Sequence, residues 1–135
     1  MAGISDIKTL LKLMKPKMVK KEFVFCTIPK DHFSNLKIAP IMMFAEEEGI
    51  TIIVKKEIAD NNSLTYSETW AWITLTVHSD LSAVGFLATV TNKLAQSGIS
   101  VNVISAYYHD HLFIPFNKSD QALRVLHELT ELNQE

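Results

Sequence analysis

The stretch that decides the fold is Trp70–Pro115, WAWITLTVHSDLSAVGFLATVTNKLAQSGISVNVISAYYHDHLFIP. Its opening, Trp70–His78, alternates. Ala71, Ile73, Leu75 and Val77 make an apolar face for helices to cover, and Trp70, Trp72, Thr74, Thr76 and His78 make the other. A period of two is that of a strand. Two Trp make the second face too apolar for water, so it is expected to meet another sheet or a subunit. Ser79 or Asp80 then caps a predicted helix from Leu81 to Ser97, with Leu81, Val84, Leu87, Ala88, Thr91, Leu94 and Ala95 as its buried stripe and Gly98 closing it. A strand over 100–108, a tight turn near His109 and Asp110, and a strand over 112–116 follow. A helix begins at Ser119, with Ala122, Leu123, Leu126 and Leu129 inward. The order β-α-β-β-α is that of a ferredoxin-like unit: an antiparallel sheet with helices on one face, in the α+β class.

Such a unit wants one more strand, and the chain stops soon after its last helix. The missing strand is expected from the first half, with 22–28 as the candidate, or from a partner chain. That first half opens with a helix capped by Ser5 or Asp6, carrying Ile7, Leu10, Leu11 and Met14 and ended by Pro16. EFVFCTI (22–28) is a strand by its β-branched and aromatic content. Pro29 to Pro40 reads as loop with room for one helical turn. Ile41–Phe44 and Ile50–Val54 form a hairpin around Glu46-Glu47-Glu48-Gly49, with Gly49 expected at positive φ. A rival reading puts a short helix before Gly49. It draws on an echo of GITIIV in GISVNV, 49 residues on, but two β-branched strands would lose a neighbour. Asp60-Asn61-Asn62-Ser63 is a turn between the halves.

Composition narrows the function classes. The chain has 135 residues, 47% hydrophobic and 21% charged, with only 4 Gly and 4 Pro, which excludes disordered and collagen-like chains. Its single cysteine, Cys26, excludes an internal disulfide and a Cys-rich zinc module, and lies in an apolar strand that suits an inert thiol. No apolar run approaches the ~18 residues of a membrane span. Charge falls within the first eight residues, so no apolar signal core is read, and the expected location is the cytoplasm. Residues 1–37 hold eight lysines against Asp6, Glu22 and Asp31, a net +5, and the rest carries −7. With one arginine, Arg124, this reads as a solvated lysine face and not as a nucleic-acid surface.

The Trp70–Pro115 run resembles an ACT domain: a strand, a polar turn, a Gly in the first turn of the next helix, then Gly-Ile-x-x-Asn entering the next strand. Together with FVFCTIP and FAEEEGITIIV it is similar to small tandem-ACT proteins akin to the CASTOR-type cytosolic amino-acid sensors. The resemblance implies two ferredoxin-like βαββαβ units, a degenerate one over 1–65 and a second over 66–135. It also implies unit pairing and a small ligand, often an amino acid, at an ACT–ACT interface; the Trp face and the missing strand add the expectation of a homodimer.

The residues support a binding site on their own terms. Gly inside a helix costs about 1 kcal/mol against Ala, so something is expected to approach the backbone at Gly85. A helix start offers N–H groups and a positive dipole end to a carboxylate, and Asp80 beside it suits an ammonium. The expected ligand-binding set is Ser79, Asp80, Leu81, Val84, Gly85, Phe86 and Asn102, with Glu46 of the acidic turn reaching a cationic side chain. The plain alternative makes Asp80 a cap, Gly85 a packing glycine, Asn102 a strand-end residue and Glu46 a solvated turn residue. His109 and His111 have the spacing of a metal pair but no third ligand, so no metal is expected; a polar turn is the simpler role. No nucleophile–base pair, phosphate loop or paired carboxylates stand out. The reading is a non-catalytic sensor without a cofactor. The alternatives are a scaffold or interaction module without ligand, or a metal protein using His109 and His111.

Overall fold

The computed structural model describes residues 6–80 and 83–134. Contacts divide the chain into two compact units. One joins the chain up to Lys20 with the stretch from Ala71 onward, and the other is Lys21–Trp70. The long strand β1 (Pro16–Ile28) gives its first five residues to the former and the rest to the latter.

In the first of these units, α1 (Ile7–Leu13) is capped by Asp6, whose carboxylate accepts the Thr9 N–H at 3.0 Å and the Thr9 hydroxyl at 2.6 Å. Then come β4 (Trp70–Leu75), α4 (Phe86–Gln96), β5 (Asn102–Ser105), β6 (Asp110–Pro115) and α5 (Ser119–Glu131). The strand order is β1-β4-β6-β5, with β5 and β6 antiparallel. The strand missing from the C-terminal half is therefore supplied by the chain's own first half. The strand that serves is β1, which contains the expected 22–28 and whose first five residues, Pro16–Lys20, belong to this unit. Thr76 Oγ1, just past the end of β4, donates at 2.9 Å to the carbonyl of Lys15, just before the start of β1. Leu10, Met14, Ile73, Leu75, Val90, Leu94, Leu112, Ile114 and Leu126 are fully buried in one cluster, so α1, α4 and α5 close over the alternating apolar face of β4 and β6.

Several expectations need correction here. α4 begins at Phe86 and not at Leu81, because Gly85 takes φ +87 and serves as its N-cap. Leu81 lies outside the described residues. The buried stripe is accordingly Phe86, Val90 and Leu94, while Val84 is 81% exposed and Ala88 and Ala95 are also exposed. The strand expected over 100–108 is Asn102–Ser105 alone, and Asp110 lies in β6, buried, not in the turn. Val125 joins the inward face of α5. Gly98, at φ +73, ends α4 as expected: its N–H donates to the Ala95 carbonyl and the Ile99 N–H to that of Leu94.

In the unit Lys21–Trp70, β2 (Met42–Ala45), β3 (Ile50–Lys55) and the end of β1 pair antiparallel in the order β2-β3-β1. The hairpin reading holds, with Ala45 opposite Ile50 and the Glu46 N–H donating to the Gly49 carbonyl at 2.9 Å. Gly49 is not at positive φ, however. It is needed because a Cβ there would stand 3.0 Å from Thr27 Oγ1 and 3.1 Å from the Ile28 carbonyl oxygen. The echo between GITIIV and GISVNV thus joins unequal places: Gly49 precedes the third strand of its half and Gly98 the second. The helix between the first two strands is only α2 (Lys30–Phe33), which is the expected degeneracy. α3 (Lys56–Asn61) stands partly where only a turn was expected. Val24, Cys26, Ile28, Ile52, Val54 and Ala59 form this unit's core, and Trp70 finds Phe25 edge-on at 5.8 Å.

Candidate functional site

The loop after β4 carries the candidate site. Ser79, Asp80, Ala83, Gly85, Phe86, Leu87 and Ala88 line a cavity of about 110 Å³, and Ser105 and Asp110 complete it. The first intrahelical bond of α4 runs from the Thr89 N–H to the Gly85 carbonyl, 3.0 Å. The N–H groups of Phe86, Leu87 and Ala88 precede it, and the N-cap residue, Gly85, has no side chain to accept from them. All three residues line the cavity, so the positive end of an 11-residue helix opens onto it. Asp110 enters from β6, 6% exposed, and its Oδ2 accepts the Ser79 hydroxyl at 3.0 Å. Amide donors and carboxylates therefore share one small space. Chemically that suits a molecule carrying both an anionic and a cationic group.

Four of the expected residues converge here: Ser79, Asp80, Gly85 and Phe86. Val84 projects to solvent between two lining residues. Asn102 is exposed on β5, opposite Phe113, and does not line the cavity; Ser105, at the other end of β5, does. Glu46 belongs to the hairpin of the other unit, where its carboxylate accepts the Thr51 hydroxyl. Ser105 was not expected, and Asp110 was expected only in a polar turn beside the histidines, because a strand residue shows nothing of its neighbour until the β5–β6 register pairs them. The glycine has a second meaning too. A Cβ at Gly85 would lie 2.9 Å from Ile7 Cδ1, so on that side α1 closes the space.

The two histidines serve the sheet. Trp72 Nε1–H donates to His111 Nδ1 at 3.0 Å, which puts the imidazole proton on Nε2; Thr74 Oγ1 lies 3.0 Å from the same Nδ1. Burial pushes the His111 pKa down, His109 nearby pushes the same way, and Asp110 opposes both. His109 Nδ1 lies 3.3 Å from the Val77 carbonyl oxygen. Among the described residues no three His, Cys, Asp or Glu side chains are grouped to hold a metal ion. Burial also raises the Cys26 pKa, which fits a thiol that stays protonated. No helix among the described residues is long and apolar enough to cross a membrane.

Two ferredoxin-like units with helices on an antiparallel sheet, and a helix start facing a small cavity of mixed polar and apolar lining, define a class of regulatory, ligand-binding modules. ACT-domain family models match residues 2–71 and 68–128, and the chain belongs to the ACT-domain family. It is 42% identical to a Vibrio cholerae protein of unknown function, described as a possible transport protein. That likeness covers 91% of this chain and 94% of the other, with a TM-score of 0.80. An Agrobacterium tumefaciens protein shares the fold at 13% identity and TM-score 0.67, over 87% of this chain and 89% of its own. So does the regulatory subunit of aspartate kinase from Thermus thermophilus, at 14% and 0.64, over 84% and 95%. No curated protein sequence is significantly similar to the chain.

Proposed function

We propose that this protein is a non-catalytic sensor that binds a small α-amino acid in the cavity before α4. The carrying observation is the meeting of the start of α4, behind its glycine N-cap, and the buried Asp110 in one space of about 110 Å³. The ligand carboxylate takes the N–H groups of Phe86, Leu87 and Ala88, and its ammonium faces Asp80 and Asp110. Gly85 keeps side-chain bulk away from the mouth. The small volume favours a short ligand side chain. Fold likeness to an aspartate kinase regulatory subunit, and the resemblance to CASTOR-type cytosolic sensors, support a regulatory role in the cytoplasm. The protein acts as a homodimer, and a second ACT unit covers exposed Val84 at the mouth, placing the ligand at a seam. Binding would then bias how units pack, as a sensor requires.

Thermal shift and calorimetry across the twenty amino acids test this. A ligand at 100 times its Kd adds about 2.7 kcal/mol of stability. Silence from all twenty would overturn the reading and favour a scaffold without ligand. The seat of Ile7 against Gly85 is the observation that speaks for that rival.

A further inference from the structure

We propose that Ile7 of α1 sets the side-chain length that the cavity before α4 accepts. It is a specificity-determining residue supplied from outside the loop, and this rests on the amino-acid reading of that cavity. Gly85 lines the cavity, and a Cβ placed on it would stand 2.9 Å from Ile7 Cδ1 and 3.9 Å from Ile7 Cγ1. The tip of Ile7 therefore occupies the place that a side chain on residue 85 would take. Carbons in contact sit about 3.5–4.0 Å apart, so that place holds the Ile7 tip or another carbon, not both.

The charges of the ligand decide what meets the tip. Its carboxylate is taken by the amides that open α4, and its ammonium by Asp80 and Asp110. The side chain is left the apolar part of the lining, Ala83, Gly85 and Leu87. Ala83 and Leu87 pack, half-buried, on the same core as Ile7. Each carbon added beyond the ligand's own Cβ then moves toward Ile7 Cδ1. Ile7 is also the least held apolar residue on the inner face of α1. Leu10 and Met14 are fully buried and Leu11 nearly so, whereas Ile7 is half-buried in the first turn. It can be shortened without unseating the helix.

Calorimetry of the full chain with alanine, 2-aminobutyrate and norvaline, each one carbon longer than the last, reads the limit. Ile7→Val deletes only Cδ1, and Ile7→Ala deletes Cγ1 and Cγ2 as well. One methylene of fit in an apolar pocket changes affinity about 10–200-fold. Wild type should therefore lose at least about tenfold from alanine to 2-aminobutyrate. In Ile7→Val that step should shrink to about threefold or less, and Ile7→Ala should extend the tolerance to norvaline. The ratio between ligands is the readout, because a general loosening of α1 weakens all three alike. A step equal in wild type and both variants, or a wild type that binds a long side chain better than alanine, would overturn the proposal and leave the amino-acid reading standing. Silence of wild type and variants toward this series and the twenty coded amino acids would overturn that reading, and the proposal with it. A silent wild type beside a responding Ile7→Ala would support the proposal, with Ile7 closing the cavity to every member.

Discussion

Ser79 Oγ donates to Asp110 Oδ2 at 3.0 Å, joining the loop after β4 to the first residue of β6. The acceptor is a carboxylate only 6% exposed. Ser79→Ala leaves it short of a partner, and hydrogen bonds to charged groups contribute about 1.5–3 kcal/mol. Urea denaturation should show a loss in that range. A loss under about 0.5 kcal/mol would mean that water already serves the carboxylate.

Asp80 lines the cavity beside the start of α4. Asp80→Ala should weaken the amino-acid response at least tenfold, about 1.4 kcal/mol, while the unfolding curve without ligand keeps its cooperativity. Calorimetry reads the first and circular dichroism the second. An undiminished response removes Asp80 from the binding set.

Gly85 combines φ +87 with Ile7 Cδ1 at 2.9 Å from the place of a Cβ. Gly85→Ala should therefore cost about 1–3 kcal/mol, since a left-handed backbone strains any side chain. Adding Ile7→Ala removes the clash but not the strain. The double variant should be less destabilised than the sum of the singles by about 0.5 kcal/mol or more. Strict additivity would show that α1 does not press on this glycine.

His111 has its pKa lowered chiefly by burial. The unfolded chain then binds a proton more readily than the folded one. The stabilisation is complete above the unfolded pKa of about 6.5 and is lost as pH falls through it toward the lower folded value. Protonation of Nδ1 would also end its role as acceptor for the Trp72 indole. Melting temperature should fall between pH 8 and pH 5, and His111→Gln should flatten part of that fall. An equal slope in the variant would assign the effect elsewhere.

Leu10 of α1 is fully buried in the core that contains β4 and β6. Leu10→Ala should cost about 2–5 kcal/mol, as for other buried leucines. Hydrogen exchange should speed in α4 and α5 together with α1, because the three share that core.

Local patterns carried much of this architecture. The alternation of Trp70–His78, the hairpin around Glu46–Gly49 and the glycine closing α4 each depend on residues within a few positions of one another. α3 escaped because KEIADN has too short a period to outweigh its Asp and Asn. Pro16–Lys20 escaped as strand because lysines interrupt its alternation. Half of the expected site converges on the cavity; its strand-borne members, Ser105 and Asp110, carried no local mark.

By itself the chain of residues determined most of the strands and the longer helices, since side-chain period and backbone preference act over one or two turns. Which strand stands beside β4, which carboxylate sits behind the loop, and what stands against Gly85 were decided only by packing. Those three depend on Lys15 meeting Thr76, Asp110 meeting Ser79 and Ile7 meeting Gly85. Partners so distant in sequence come together only when burying the common apolar face outweighs the entropy of closing the loops between them.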